Sequence, residues 1–181
     1  MPTVLIEKLT PQITVLTLNR PERRNALTIE LLSELNAAIK IASDQPQERV
    51  IILRGAGAAF CTGLDLKEAA DQRKAHATAE MVANTLIAIS QTRLITIAVV
   101  HGAAIAGGAG IMSACDFVVA AQGTKNRLSR GATRTGGWTG DDFPAPAGRR
   151  TAHARTVVRL RDNRRRSCKG DRPRESCCRK R

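Results

Sequence analysis

VVHGAAIAGGAGIMSACDFVVAA, residues 99–121, decides how this chain is read. An apolar run ends at Val100, a Gly/Ala-rich turn and short helix are predicted over 101–114, and a β-branched strand, FVVAA, follows at 117–121. The same logic recurs upstream in ILRGAGAAFCTGLDLKE (52–68), a strand running into a Gly/Ala turn and a helix start. Working outward, 4–9 (VLIEKL) and 13–18 (ITVLTL) are short β-branched runs that Thr10, Pro11 and Gln12 join as a hairpin. The polar, proline-containing segment 19–26 (NRPERRNA) is a loop. Thr28 caps a predicted helix over 29–42, on which Ile29, Leu32, Leu35, Ile39 and Ala42 recur at helical spacing. Residues 50–53 (VIIL) read as a strand buried on both faces, 75–91 as a helix and 94–100 (LITIAVV) as another buried strand. Alternating elements of this kind imply a layered α/β domain.

The pattern stops near residue 124. Residues 1–124 carry 11 Lys+Arg and 11 Asp+Glu, whereas 125–181 carry 18 against 5, so the whole net charge of +13 lies in the tail. Only four Leu or Val residues occur there, and the division expected is a folded body, 1–124, and a basic, disordered tail, 125–181. A run such as Arg164, Arg165, Arg166 ordinarily suggests nucleic acid or an anionic surface. Here Trp138 and Phe143 are the only tail aromatics and do not interleave with the basic clusters as a stacking platform would, so no specific nucleic-acid partner is expected. The N-terminus lacks the basic and long apolar regions of a secretory signal, and no apolar run reaches the ~18 residues of a membrane span. Cys61 and Cys115 read as reduced core thiols, and Cys168, Cys177 and Cys178 lack CxxC spacing or a nearby His, which argues against zinc. The expectation is a soluble, cytoplasmic protein without a metal.

The two glycine-rich turns carry the chemistry. A strand-to-helix turn leaves backbone N–H groups unpaired at a helix start, and Gly or Ala lets a ligand approach them. Two such turns converging would aim two donors at one carbonyl oxygen, an arrangement that stabilises an enolate or tetrahedral oxyanion. On the residues alone a purely structural role stays open. Neither turn has GxGxxG spacing followed by an acidic residue, and no GK[ST] occurs, so dinucleotide and P-loop readings fail.

LNRPERRNAL (18–27), GAGAAFCTGLDLKE (55–68) and HGAAIAGGAGIMSACDFVVAA (101–121) resemble, in order and spacing, the enoyl-CoA hydratase/isomerase family, the crotonases. The resemblance covers nearly all of 4–124. It implies a crotonase-like spiral of ββα units, incomplete here, and an acyl-CoA thioester substrate whose coenzyme A is the only cofactor-like group. It also implies a homotrimer or hexamer for the intact parent. Carried over by position, the oxyanion-hole donors are the N–H groups of Leu64 and Gly107, and Arg24, Ala26, Thr62, Asp65 and Leu66 hold the CoA. Lys67 reads as a surface lysine, or as a charge near phosphate. His101 and Asp116 read as structural, Asp65 as the holder of its own turn, and His76 as exposed.

Two departures matter. Hydratases of this family use two Glu residues; Gly110 stands at the first position and Arg130 at the second, and an Arg is no base at neutral pH. Read one base out of frame, with degenerate positions chosen freely, residues 126–131 can spell IGYPEV, which contains the missing Glu. Trp138 followed by Thr139 forces a Gly in that frame. The reading is therefore a frame change near residues 122–126. The expected parent activity is water addition to a 2-enoyl-CoA, with Δ3/Δ2-enoyl-CoA isomerisation or non-catalytic acyl-CoA binding as the alternatives. The chain itself is expected to be inactive.

Overall fold

The computed structural model describes residues 1–127 and 157–160. In chain order the elements are β1 (Val4–Thr10), β2 (Ile13–Leu18), α1 (Ile29–Asp44), β3 (Val50–Gly55), α2 (Leu66–Ala70), α3 (Gln72–Gln91), β4 (Ile95–Val100), β5 (Ala103–Ile105), α4 (Gly107–Ala114), β6 (Phe117–Ala121), β7 (Lys125–Arg127) and β8 (Val157–Leu160). The hairpin forms as expected: β1 and β2 pair antiparallel through a tight turn. Every later pairing is parallel, and the six-stranded sheet has the order β1-β2-β3-β4-β6-β8. Parallel neighbours need crossovers, which α1 supplies between β2 and β3, α2 and α3 between β3 and β4, and α4 between β4 and β6.

Local chemistry sets the helix ends. Thr28 Oγ1 accepts the Leu31 N–H at 3.2 Å and starts α1, which buries Leu31, Leu32, Leu35, Ala38, Ile39 and Ala42 along one stripe. Asp65 and Asp71 cap α2 and α3 by accepting the N–H groups of Lys67 and Arg73. The cap at Asp71 explains why α3 begins at Gln72, three residues before the start expected from apolar spacing. Glu34 on α1 accepts the N–H groups of Thr3 and Val4 and the Thr3 hydroxyl, tying the start of β1 to the helix. Burial opposes that carboxylate, but its three donors prevail and lower its pKa.

The core joins the α1 stripe to Leu16, Leu18, Ile51, Leu53, Ala98, Val100 and Val118. These strand positions share one face. The alternate positions Val50, Ile52, Ile97, Val99 and Val119 are only half-buried, and Ile95 and Phe117 are 47% and 37% exposed. This corrects the expectation that 50–53 is buried on both faces, and 94–100, read as a buried strand, likewise buries only alternate residues: among the described residues, the cluster that includes the α1 side chains covers only one face. Asp116 has the structural role expected of it. Its carboxylate accepts from the Thr96 N–H and hydroxyl, while its own N–H donates back to Thr96 Oγ1, each at 2.9 Å.

A second, smaller layer was not foreseen. β5 pairs in parallel with β7, Cys61 forms a parallel bridge with Ala104, and Leu27 forms one with Leu64. Backbone from residues 24–27, 61–64, 103–105 and 125–127 thus runs side by side. Two pieces of the presumed disordered tail are strands. β7 lies just past residue 124, and β8, with the β-branched pair Val157 and Val158, adds to the edge of the main sheet at β6. The remaining tail, including Arg130 and the three tail cysteines, lies outside the described residues.

Candidate active site

The site is built where the second layer runs out of strand. Leu27 N–H donates to Gly63 O at 2.8 Å and Asp65 N–H to Leu27 O at 2.9 Å, so Leu64, between them, turns its own N–H away from residue 27. On the other flank, Cys61 N–H donates to Ala103 O and Ile105 N–H to Cys61 O. That ladder ends because Ala106 adopts φ 48°, ψ −114° and swings the chain into α4. Gly107 is the first helical residue, and the first helical bond in its turn runs from Gly110 N–H to Ala106 O. Among the described residues neither the Leu64 N–H nor the Gly107 N–H donates a hydrogen bond.

Close packing brings these two backbones together. A Cβ on Gly63 (φ 94°) would sit 3.1 Å from the Ala106 Cβ and 3.4 Å from the Gly107 nitrogen, and one on Gly107 would meet Leu27 Cδ1 at 2.8 Å. Leu64, Ala106, Gly107 and Gly110 are all partly exposed. Two orphan N–H groups on touching loops can hold one oxygen that gains negative charge.

The loops that flank this point are stapled by residues that sequence reading missed. Arg20 donates from Nη1 to Ala26 O at 2.7 Å and from Nη2 to Asp65 Oδ2 at 3.2 Å, binding the 20–26 loop to the 62–66 loop. Asn25 is fully buried: its Oδ1 accepts the Arg20 N–H, and its Nδ2 reaches Ala56 O, Ala59 O and Phe60 O at 2.8–3.1 Å. Arg24 and Asn25 are both left-handed (φ 51° and 55°), which folds the loop back on Pro21. Glu68 closes the far side by accepting the Ile29 N–H at 3.0 Å. A polar loop such as NRPERRNA carries no sequence signal that one of its members is a buried scaffold.

The residues expected to hold CoA gather here. Arg24 is exposed, Ala26 partly so, and Thr62 donates both its N–H and its hydroxyl to Arg24 O. Leu66 is 61% exposed. Asp65 holds its own turn as expected. Burial works against its carboxylate, but the Lys67 N–H, the Arg20 hydrogen bond and the charges of Arg20 and Arg23 outweigh it and keep the pKa below the usual aspartate range. Lys67 and His76 are exposed. His101 Nε2 lies 2.8 Å from Gly57 O and steadies the 55–60 turn. Cys61 is buried and its thiol is pushed up to about 12 by that burial, so it is an unreactive core thiol. Among the described residues no cluster of His, Cys, Asp and Glu fits a metal ion, and no helix is long and apolar enough to cross a membrane.

Comparison with known proteins follows the same lines. Residues 9–154, a range that passes the break at 124, match the enoyl-CoA hydratase/isomerase family. The chain is 38% identical over 115 residues to a mevalonyl-coenzyme A hydratase of Aspergillus fumigatus, a match covering 62% of this chain and 43% of that one. It is 33% identical over 117 residues to an enoyl-CoA isomerase/hydratase of Mycosarcoma maydis, covering 59% and 43%. Among solved structures, an enoyl-CoA hydratase from Bacillus anthracis superposes with a TM-score of 0.66 at 32% identity, over 68% of this chain and 49% of that one. One from Mycobacterium smegmatis gives 0.67 at 30% identity, over 70% and 50%. The chain spans about half the length of the proteins it matches.

Proposed function

The chain belongs to the enoyl-CoA hydratase/isomerase family and carries part of the crotonase fold, and from that premise we propose that it is the thioester-holding portion of an enoyl-CoA hydratase. The observation that carries the reading is the pair of N–H groups, Leu64 and Gly107, on touching loops, which have no partner among the described residues. A thioester oxygen between them gains charge as water adds at the β carbon and an enolate forms, and donors fixed beforehand favour that state over the neutral thioester. Arg24, Ala26, Thr62, Asp65 and Leu66 form the rim that takes the CoA. Arg20 holds two of those segments in register. Coenzyme A enters and leaves as part of the substrate, so no separate cofactor is required. Lone core thiols fit a reducing, cytoplasmic setting.

Proton transfer is what this chain lacks. Gly110 has no side chain to carry a proton, and Arg130 keeps its charge at neutral pH. A one-base frame change near 122–126 would restore a Glu at 130 in the parent, and the 1–181 chain would then bind acyl-CoA without turning it over. Gly110 also favours a second reading, Δ3/Δ2-enoyl-CoA isomerisation, because a single Glu suffices to move a proton between two carbons. Calorimetry with crotonyl-CoA, and assays for its hydration and for conversion of a 3-enoyl-CoA, test these readings. Binding of crotonyl-CoA without turnover is expected. Hydration within about a hundredfold of an intact family member would refute the inactivity, and no binding of any acyl-CoA would refute the site itself.

A further inference from the structure

Gly110 follows Gly107 by three residues on α4, so both lie on one helix face, ~4.5 Å apart along the axis. Among the described residues, the side-chain atoms that a Cβ on Gly110 would meet within 4 Å are Leu86 Cδ2 and Cδ1, at 3.6 and 3.7 Å. Leu86 comes from the C-terminal half of α3 and is only partly buried, as is Val82 one turn earlier on the same helix. Among the described residues, the space one turn beyond the Gly107 N–H is therefore bounded by the aliphatic carbon of Leu86, and Gly110 itself is partly exposed. An acyl group whose carbonyl oxygen lay at Gly107 would extend its chain into that space.

We propose that Leu86 is the specificity-determining residue of this site: facing the missing side chain of Gly110, it limits the size of the acyl group beside the two N–H donors. The inference rests on the acyl-CoA reading above. Gly110 widens the space and Leu86 narrows it from the opposite helix, so the two positions act on the same volume. Shortening one or lengthening the other must shift acyl-size preference in opposite directions.

Calorimetry on the full 1–181 chain with CoA, acetyl-CoA and octanoyl-CoA tests this. Leu86→Ala should raise the affinity for octanoyl-CoA relative to acetyl-CoA by about tenfold and leave CoA unchanged. Gly110→Ala, whose new methyl makes only ordinary contact with Leu86, should lower the same ratio, and the double variant should return towards the starting value. Should Leu86→Ala fail to fold, Gly110→Ala and the volume-conserving Leu86→Met still report the ratio. An unchanged ratio with CoA binding intact overturns the role of Leu86 and leaves the acyl-CoA reading standing. Failure of the unsubstituted chain to bind all three ligands overturns both.

Discussion

Asn25 concentrates more of the site's scaffold than any other side chain, and its replacement separates two effects that usually travel together. Its amide accepts one backbone N–H, from Arg20, and shares two hydrogens among three carbonyls of the 56–60 turn, all with the residue fully buried. Asn25→Gly removes those bonds while suiting the left-handed backbone; at about 1 kcal/mol for each of roughly three effective bonds, it should cost ~3 kcal/mol. Asn25→Ala loses the same bonds and must also hold φ 55°, which adds ~1 kcal/mol. Asn25→Asp keeps the acceptor for Arg20 but turns a carboxylate oxygen towards three carbonyl oxygens, and should be the worst of the three. Against a total stability of about 5–15 kcal/mol these are large fractions, readable as urea midpoints with unchanged slope. The expected order of stability is Asn, Gly, Ala, Asp. Asp as stable as Gly would refute the assignment of Nδ2 to the carbonyls, and Ala as stable as Gly would refute the left-handed backbone.

Ala106 holds φ 48°, ψ −114° without being glycine; Ala106→Gly should raise stability by ~1 kcal/mol, seen as a higher thermal midpoint, because relief of strain exceeds the added chain entropy. Asp65 titrates lower in the folded than in the unfolded chain, so its stabilisation is complete above the ordinary aspartate range of about 4 and is lost as pH falls through that range to the lowered folded value. Asp65→Asn should therefore cost ~1 kcal/mol at pH 7 and progressively less as pH falls below the ordinary aspartate range of about 4, measured as unfolding free energy against pH; a loss that does not shrink in acid would sink the assignment. Sequencing the coding DNA should find, one base out of register after residues 122–126, an open reading that supplies Gly-Tyr-Pro-Glu; nucleotides lacking it would end the frame-change idea.

Much of the main layer was legible. β2, β6 and the buried stripe of α1 announce themselves because β-branched runs and i, i+3, i+4 spacing are local signals. β5 was not, since Ala103, Ala104 and Ile105 sit in a run of small residues that becomes a strand only when residues 61 and 125–127 lie beside it. The exposure of one face of β3 and β4 was missed for a related reason, as a continuous apolar run does not say which face finds a partner. At the site, Leu64 and Gly107 could be named through resemblance, but what leaves their N–H groups free could not. That depends on Ala106 breaking the ladder and on Leu27 claiming the bonds either side of Leu64. Arg20 and Asn25 were invisible because the partners that tie them to the rest of the site, Asp65 for Arg20 and the carbonyls of Ala56, Ala59 and Phe60 for Asn25, stand far away in sequence.

The small second layer has a kinetic consequence. Its contacts join segments roughly 40 residues apart in sequence, 24–27 to 61–64 and 61–64 to 103–105, all in parallel register. Such pairings close large loops before they are rewarded, so they form late. As the chain is synthesised from its N-terminus, the hairpin and α1 can assemble first. Leu64 and Gly107 can meet only after α4 has been made and docked. The two N–H groups then come together in one step near the end of folding, and a partly folded chain would have its helices but not the site proposed to hold a thioester.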